Sequence, residues 1–252
     1  MSSTETSLVE FSLFDAVKKQ YLYKLKSHLG LFLAMAGVQV IALLFSLGGV
    51  MSHGMGTQYL YTFVSYFSSE IVIGFTILWV LVVAVLVTTK DYQNIDFTFV
   101  SNRLSSNLSN AAFLVTAALI GGFTAMLSGF LLRIIVYFRS SHYLLSQNFI
   151  VAPDVIFTGI AVTLLYLLLF GSLGYFCGVL MQLSKVFIVI LPSLYFGAII
   201  LARRGDQMQV LSSVYDFFRG ESSLTLFALK VILTAVLIYA CSFMLSNRLE
   251  VR

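Results

Sequence analysis

Charged side chains are scarce inside the long apolar runs of this chain, and three of them lie near run ends that the topology below assigns to the outer leaflet. Glu70 begins one run, Arg133 lies late in the next, and Lys230 lies early in the last. In a low dielectric, Glu70 could pair with either basic residue, and such a charge cluster could line a substrate exit. Alternatively, the two basic side chains only extend their charged ends to the interface.

The middle of each apolar run lacks ionisable residues, which membrane enzymes and proton-coupled carriers usually place there. The chain has no HExxH, no GxSxG and no paired acidic motif inside a run, so intramembrane hydrolase chemistry is disfavoured. No lysine follows a glycine, so there is no phosphate-binding loop. The chain is therefore expected to be a non-catalytic subunit whose energy, if it uses any, comes from another chain.

The composition excludes a soluble globular domain. Of the 252 residues, 59% are hydrophobic and 10% are charged, against about 45–50% and about 25% in soluble proteins. The net charge of +4 is spread between apolar runs, which disfavours nucleic-acid binding. Cys177 and Cys241 both lie in apolar stretches, so neither a disulfide framework nor a metal site is expected.

Six apolar runs are long enough to be candidate transmembrane helices. They cover residues 29–50, 71–88, 111–137, 155–183, 186–202 and 224–245. Nine Lys and Arg residues fall on the side of the termini and four on the opposite side, so both termini are expected in the cytoplasm. The first run lacks a cleavage pattern and is expected to be an uncleaved anchor. The whole chain, 1–252, is read as one polytopic, all-α membrane domain.

The fifth run is the weakest candidate. Its 17 residues reach only about 25 Å at 1.5 Å per residue, against a hydrocarbon core of about 30 Å. Pro192 can also kink it. It is expected to be barely long enough to cross the membrane.

An amphipathic helix is predicted over residues 11–26, directly before the first span. At 100° per residue its apolar side chains fall together, opposite its charged ones. The apolar members are Leu13, Phe14, Val17, Tyr21 and Leu25, and the charged ones are Asp15, Lys19 and Lys26. This pattern is typical of a helix that lies flat at the cytoplasmic interface, although an ordinary basic flank is the alternative.

A second amphipathic segment, residues 91–110, joins the second and third spans and is rich in Ser and Asn. Its apolar residues recur at helical spacing and are expected to seat a short cytoplasmic helix. They are Phe97, Val100, Leu104 and Leu108, whereas Asn102, Arg103 and Asn107 are expected to face a soluble partner. The alternative is a connecting helix that rests on lipid headgroups.

A third segment, residues 203–223, is expected outside the cell as partly re-entrant helices. Val210, Leu211, Val214, Phe217 and Phe218 form an apolar stripe there. Within the spans, Gln39 and the glycines of Gly174–Gly178 and Gly121–Gly122 are expected to serve helix packing.

The order of these parts resembles the ABC type-2 permease family. The sequence FTFVSNRLSSNLSN at 97–110 resembles the coupling stretch of small Gram-positive permeases whose partners export peptides or confer antimicrobial resistance. The resemblance implies a permease that dimerises with itself or a sister permease and binds two ATPase subunits through residues 91–110. ATP and Mg²⁺ would be held by those partners, and this chain would need no cofactor. The transport pathway would lie between two permeases, lined mainly by the second and fifth spans.

The leading functional hypothesis is therefore the membrane subunit of an ATP-driven exporter in the cytoplasmic membrane. Its Phe-rich spans favour an amphiphilic substrate such as a peptide, an antibiotic or a lipid-like molecule. One alternative is a permease for sensing of, or immunity to, antimicrobial peptides. The other is an ion-coupled secondary carrier, which would require a titratable site in mid-membrane.

Overall fold

The computed structural model describes residues 13–48, 51–57, 60–66, 68–89, 92, 103–139, 152–203, 217 and 223–246. Within these ranges it contains seven helices and one β-hairpin. The helices are α1 (Leu13–Ser27), α2 (Leu29–Ser46), α3 (Glu70–Val87), α4 (Arg103–Arg139), α5 (Pro153–Leu183), α6 (Phe187–Arg203) and α7 (Leu224–Ser246). The helical, multi-pass character predicted from composition is thus confirmed.

Five of these helices are long and apolar enough to cross a membrane: α2, α3, α4, α5 and α7. Their ends lie within a few residues of the hydropathy-based limits, except at the start of α4. The fifth predicted run forms α6, which has 17 residues and contains Pro192. It is shorter than the five helices that qualify as spans.

The hairpin lies between α2 and α3 and was not anticipated. Strand β1 (Met51–Thr57) pairs antiparallel with β2 (Leu60–Tyr66), with Met51 opposite Tyr66 and Thr57 opposite Leu60. β2 is rich in the aromatic and β-branched residues that favour strands, whereas β1 contains two glycines and no aromatic residue other than His53. The hairpin marks one end of the bundle, called the hairpin end below.

The opposite end, called the α1 end, is where α1 meets the first turns of α4. One long helix, α4, begins at Arg103 and continues to Arg139. The prediction of a separate coupling helix is therefore wrong for residues 103–110, which form the first two turns of the same continuous helix as the third predicted span. Neither Pro nor Gly occurs near the junction of Asn110 and Ala111, so nothing there interrupts helical hydrogen bonding. Of residues 91–102, only Tyr92 lies in the described part.

Helices α3 and α5 pack most closely, and they run in the same direction. Gly174 and Gly178 of α5 face α3, where a Cβ at Gly174 would lie 2.6 Å from the Leu81 carbonyl oxygen. A Cβ at Gly178 would collide with the side chain of Thr88. Small residues allow helix backbones to approach this closely in membranes, so the predicted packing role of this glycine pair is confirmed.

Helices α5 and α7 also run parallel to each other. The ring of Tyr166 lies 5.4 Å from that of Phe227, and the ring of Tyr175 stacks on that of Tyr239 at 4.6 Å. The second contact lies further along both helices than the first, so the two helices run in the same direction. Consequently the chain between α5 and α7 must return along the full length of the bundle.

Candidate functional site

A buried lysine joins α1 to the start of α4. Lys24 is 3% exposed, and its ammonium group donates to the Ser109 hydroxyl at 2.8 Å and to the Asn110 side-chain oxygen. The carbonyl oxygen of Ser106 lies 3.5 Å from the same Nζ. Because burying an ammonium group costs free energy unless it is hydrogen-bonded, these acceptors are needed to hold Lys24 in place.

The same turns of α4 bind α5 and α7 through a second set of hydrogen bonds. The Tyr175 hydroxyl donates to the Asn107 side-chain oxygen at 2.7 Å, and Asn110 Nδ2 lies 3.4 Å from the Tyr175 hydroxyl. Asn107 Nδ2 also donates to Ser246 Oγ at 3.5 Å. The seven residues that these bonds and the tyrosine stack connect are called the polar cluster: Lys24, Asn107, Ser109, Asn110, Tyr175, Tyr239 and Ser246.

Next to the polar cluster, His28 connects the end of α1 to the segment before α4. Its Nδ1 lies 2.8 Å from the Lys24 carbonyl oxygen and 2.8 Å from the Ser27 hydroxyl oxygen. Its ring stacks on Tyr92 at 4.8 Å. The other ring nitrogen, Nε2, is buried without a hydrogen-bond partner among the described residues. The α1 end therefore holds α1 against both α4 and Tyr92.

The structure does not place all of the predicted partner-binding residues as the sequence predicts. Phe97, Val100 and Asn102 lie outside the described residues, and Arg103 is the first residue of α4. Asn107 is 6% exposed and hydrogen-bonded inside the bundle, whereas Leu108 is 45% exposed.

The predicted assignment of helix faces is therefore wrong at Asn107 and Leu108. Because these residues belong to a membrane helix, the surrounding lipid favours the apolar side chain outside and the hydrogen-bonded amide inside. Leu104, at the same end, is half-buried.

Sequence reasoning missed most of the polar cluster, although one signal was present. Lys24 follows Val17 by seven residues and Tyr21 by three, so it falls on the supposedly apolar face of α1. Gln20 on that face is buried as well. A lysine within the apolar stripe indicates a helix that packs on polar protein atoms in addition to lipid.

A cavity of about 670 Å³ lies between α4, α5 and α7. Its wall is almost entirely aliphatic and aromatic, and its polar residues Asn107 and Tyr239 belong to the polar cluster. Other lining residues include Leu104, Val115, Leu167, Val231, Ile232 and Met244.

The middle of the bundle contains one polar side chain that joins three helices. Gln39 of α2 donates from Nε2 to the Thr76 hydroxyl at 3.2 Å, to the Thr124 hydroxyl at 3.0 Å and to the Gly121 carbonyl at 3.3 Å. A Cβ at Gly121 would lie 3.2 Å from the Thr76 methyl group. The packing roles predicted for Gln39 and Gly121 are confirmed. An uncharged amide at this depth cannot titrate.

At the hairpin end, the three charges of the predicted cluster contact separate neighbours. Glu70 is exposed in the first turn of α3. The Arg133 guanidinium lies 5.6 Å from the centre of the Phe130 ring. Lys230 Nζ lies 4.3 Å from the centre of the Phe217 ring and 3.4 Å from its carbonyl oxygen. Neither of these contacts involves Glu70, so a role in substrate exit remains a prediction.

Within the described ranges, no group of three or more His, Cys, Asp or Glu side chains could hold a metal ion. Comparison of the chain with protein-family models, with curated proteins and with solved structures found no match. The functional conclusion consequently rests on the sequence and on the geometry above.

Proposed function

We propose that the chain is the membrane subunit of an ATP-driven exporter with the type-2 permease architecture. In this proposal it moves an amphiphilic peptide, antibiotic or lipid-like molecule across the cytoplasmic membrane. It dimerises with itself or a sister permease, and separate ATPase subunits bind ATP and Mg²⁺.

One observation carries this proposal: the polar cluster fastens α1, α4, α5 and α7 together where the predicted coupling segment enters the bundle. Residues 91–102 lead directly into α4, whose first turns bind Lys24 and Tyr175. Four helices sharing buried hydrogen bonds would move as a unit, because separating them leaves those polar groups unpaired. A displacement of the first turns of α4 by a partner would therefore be passed on to α1, α5 and α7 through these hydrogen bonds.

The distribution of charges favours an external energy source. Every Asp, Glu, Lys and Arg in the five candidate spans and α6 lies within about two turns of a helix end. An ion-coupled carrier would need a titratable side chain deeper in the bundle, where the chain instead has Gln39. This argues against the secondary-carrier alternative.

Two features favour the six-span topology of this family. Helices α5 and α7 are parallel, so the chain between them returns through the membrane, and α6 is the helix available for that return. At 1.5 Å per residue, α6 spans about 25 Å, enough for most of a hydrocarbon core of about 30 Å. Both termini then lie on the α1 side, which the basic residues assign to the cytoplasm.

A permease dimer would give α6 a neighbour. Most of the described side chains of α6 are exposed, including Val189 at 68% and Leu194 at 65%. Lipid can cover such a surface, but α6 has few contacts with the other described parts of its own chain. A second permease packed on α6 would fit the proposed pathway between two subunits.

The test is ATP hydrolysis by the complex purified through this chain from cells that also express its neighbouring reading frames. We expect vanadate-sensitive hydrolysis that amphipathic peptides stimulate in proteoliposomes. Tyr175→Phe, which removes the hydroxyl that binds Asn107, should reduce this stimulation about tenfold and leave the ATPase bound. The matched control is Tyr166→Phe, because Tyr166 makes a ring contact with Phe227.

Export that continues without any ATP-hydrolysing partner would overturn the proposal. Equal stimulation of ATP hydrolysis in the wild type and Tyr175→Phe would show that the polar cluster takes no part in coupling.

A further inference from the structure

The cavity between α4, α5 and α7 is somewhat longer than one leaflet of the hydrocarbon core is deep. Along α7 its lining extends from Val231 to Met244, a distance of about 20 Å at 1.5 Å per residue. Along α4 it begins at Leu104, one residue after the helix start. Half of a typical hydrocarbon core is about 15 Å. The cavity thus starts at the α1 end and covers the adjacent leaflet.

The cavity is an elongated groove. Its volume of about 670 Å³ is distributed along about 20 Å of α7, so a slender apolar group can lie in it lengthwise. A single hydrocarbon chain fits, because carbon atoms in contact are about 3.5–4.0 Å apart.

The lining specifies the chemistry of the occupant. Among the residues that the structure describes, no Asp, Glu, Lys, Arg or His lines the cavity. The hydroxyl of Ser172 donates to the Leu169 carbonyl at 2.7 Å and is thus already paired within α5. Asn107 and Tyr239 are the remaining polar lining residues, and Asn107 lies in the second turn of α4, at the α1 end. The occupant must be apolar along its length, with any polar group at that end.

The cavity opens sideways to the bilayer. Ile232 is 50% exposed, Val236 is 59% exposed and Met244 is 71% exposed, and all three are lining residues on α7. Leu108 on α4 borders the same opening and is 45% exposed. A chain already in the leaflet can therefore enter without crossing water.

We propose that this cavity binds one acyl chain of a phospholipid from the leaflet on the α1 side, which is cytoplasmic in the predicted topology. The headgroup stays at the membrane surface, near the first turn of α4. The bound chain fills the space between α4 and α7 and completes their packing. This inference does not depend on the transport proposal, since helices of a single chain form the cavity.

The test is native mass spectrometry of the full-length protein after exchange into a delipidating detergent, with added phosphatidylglycerol as the probe. We expect wild-type protein to retain one phospholipid per chain with saturable occupancy. Ala235→Phe places a ring in the cavity and should lower the occupancy at least tenfold. The matched control is Ala36→Phe, because Ala36 is exposed on α2 and does not line the cavity.

Ala111→Phe repeats the test from the α4 wall and should also lower the occupancy if Ala235→Phe fails to fold. If neither variant folds, the wild-type titration decides: saturation at one lipid supports the site, and no binding or unlimited binding overturns it. Equal loss of lipid in Ala36→Phe overturns it as well. A lipid-free dimer that Ala235→Phe dissociates would show that a second copy covers the cavity, which would also contradict the proposal.

Discussion

Lys24 is buried, although lysine is among the residues that proteins bury least. The cost is offset because Ser109 and Asn110 supply oxygen acceptors from a helix whose first turns project from the membrane core. The same ammonium group would be expensive a few turns further along α4, where most of the surrounding side chains are apolar. Its location therefore follows from the Ser/Asn-rich composition of residues 105–110.

Replacing this lysine should destabilise the protein more than replacing an exposed one. Lys24→Met keeps the length of the side chain but leaves the buried oxygens of Ser109 and Asn110 without their donor. Hydrogen bonds to charged groups contribute about 1.5–3 kcal/mol, so we expect a loss of that order in unfolding free energy. Reversible unfolding in mixed detergent measures it, with Lys26→Met as the exposed control on α1. Equal stabilities of the two variants would contradict a structural role for Lys24.

The close packing of α5 against α3 depends on two glycines of α5, Gly174 and Gly178. Gly178→Ala forces α5 away from Thr88 of α3, and overpacking of this kind typically costs about 1–3 kcal/mol. Gly74→Ala is the matched control, since a Cβ there has no atom within 4 Å and alanine is the better helix former. We expect only Gly178→Ala to lower the unfolding temperature. Equal unfolding temperatures of the two variants would show that the α3–α5 contact tolerates a wider spacing.

The helices were predictable from sequence to different degrees, and the reason is physical. Hydropathy locates spans because a helix in lipid must be apolar over a length fixed by the bilayer, which explains the close agreement for α3, α5 and α7. Hydropathy contains no information about the partner of a polar side chain at a helix end. Asn107 was consequently assigned to a soluble partner, whereas Tyr175, far away in sequence, binds it. The hairpin was missed because β1 has little strand character.

At the scale of the whole molecule, the parallel orientation of α5 and α7 constrains how the chain is threaded. The two helices begin at the hairpin end and finish at the α1 end, where Asn107 contacts Ser246. Single cysteines in a background without Cys177 and Cys241 can test this threading. Suitable sites must be accessible, which excludes Ser105, because it is only 2% exposed.

Cysteines at four positions near helix ends can test this threading. Lys26→Cys and Lys185→Cys should react with an impermeant maleimide only after the membrane is opened, because both belong to the α1 end. Asp154→Cys and Ser223→Cys should react in intact cells, because Asp154 lies in the first turn of α5 and Ser223 directly precedes α7, both at the opposite end. Labelling of all four after denaturation controls for expression. If Lys185→Cys and Ser223→Cys label from the same side, α6 does not cross the membrane, and the six-span topology is wrong.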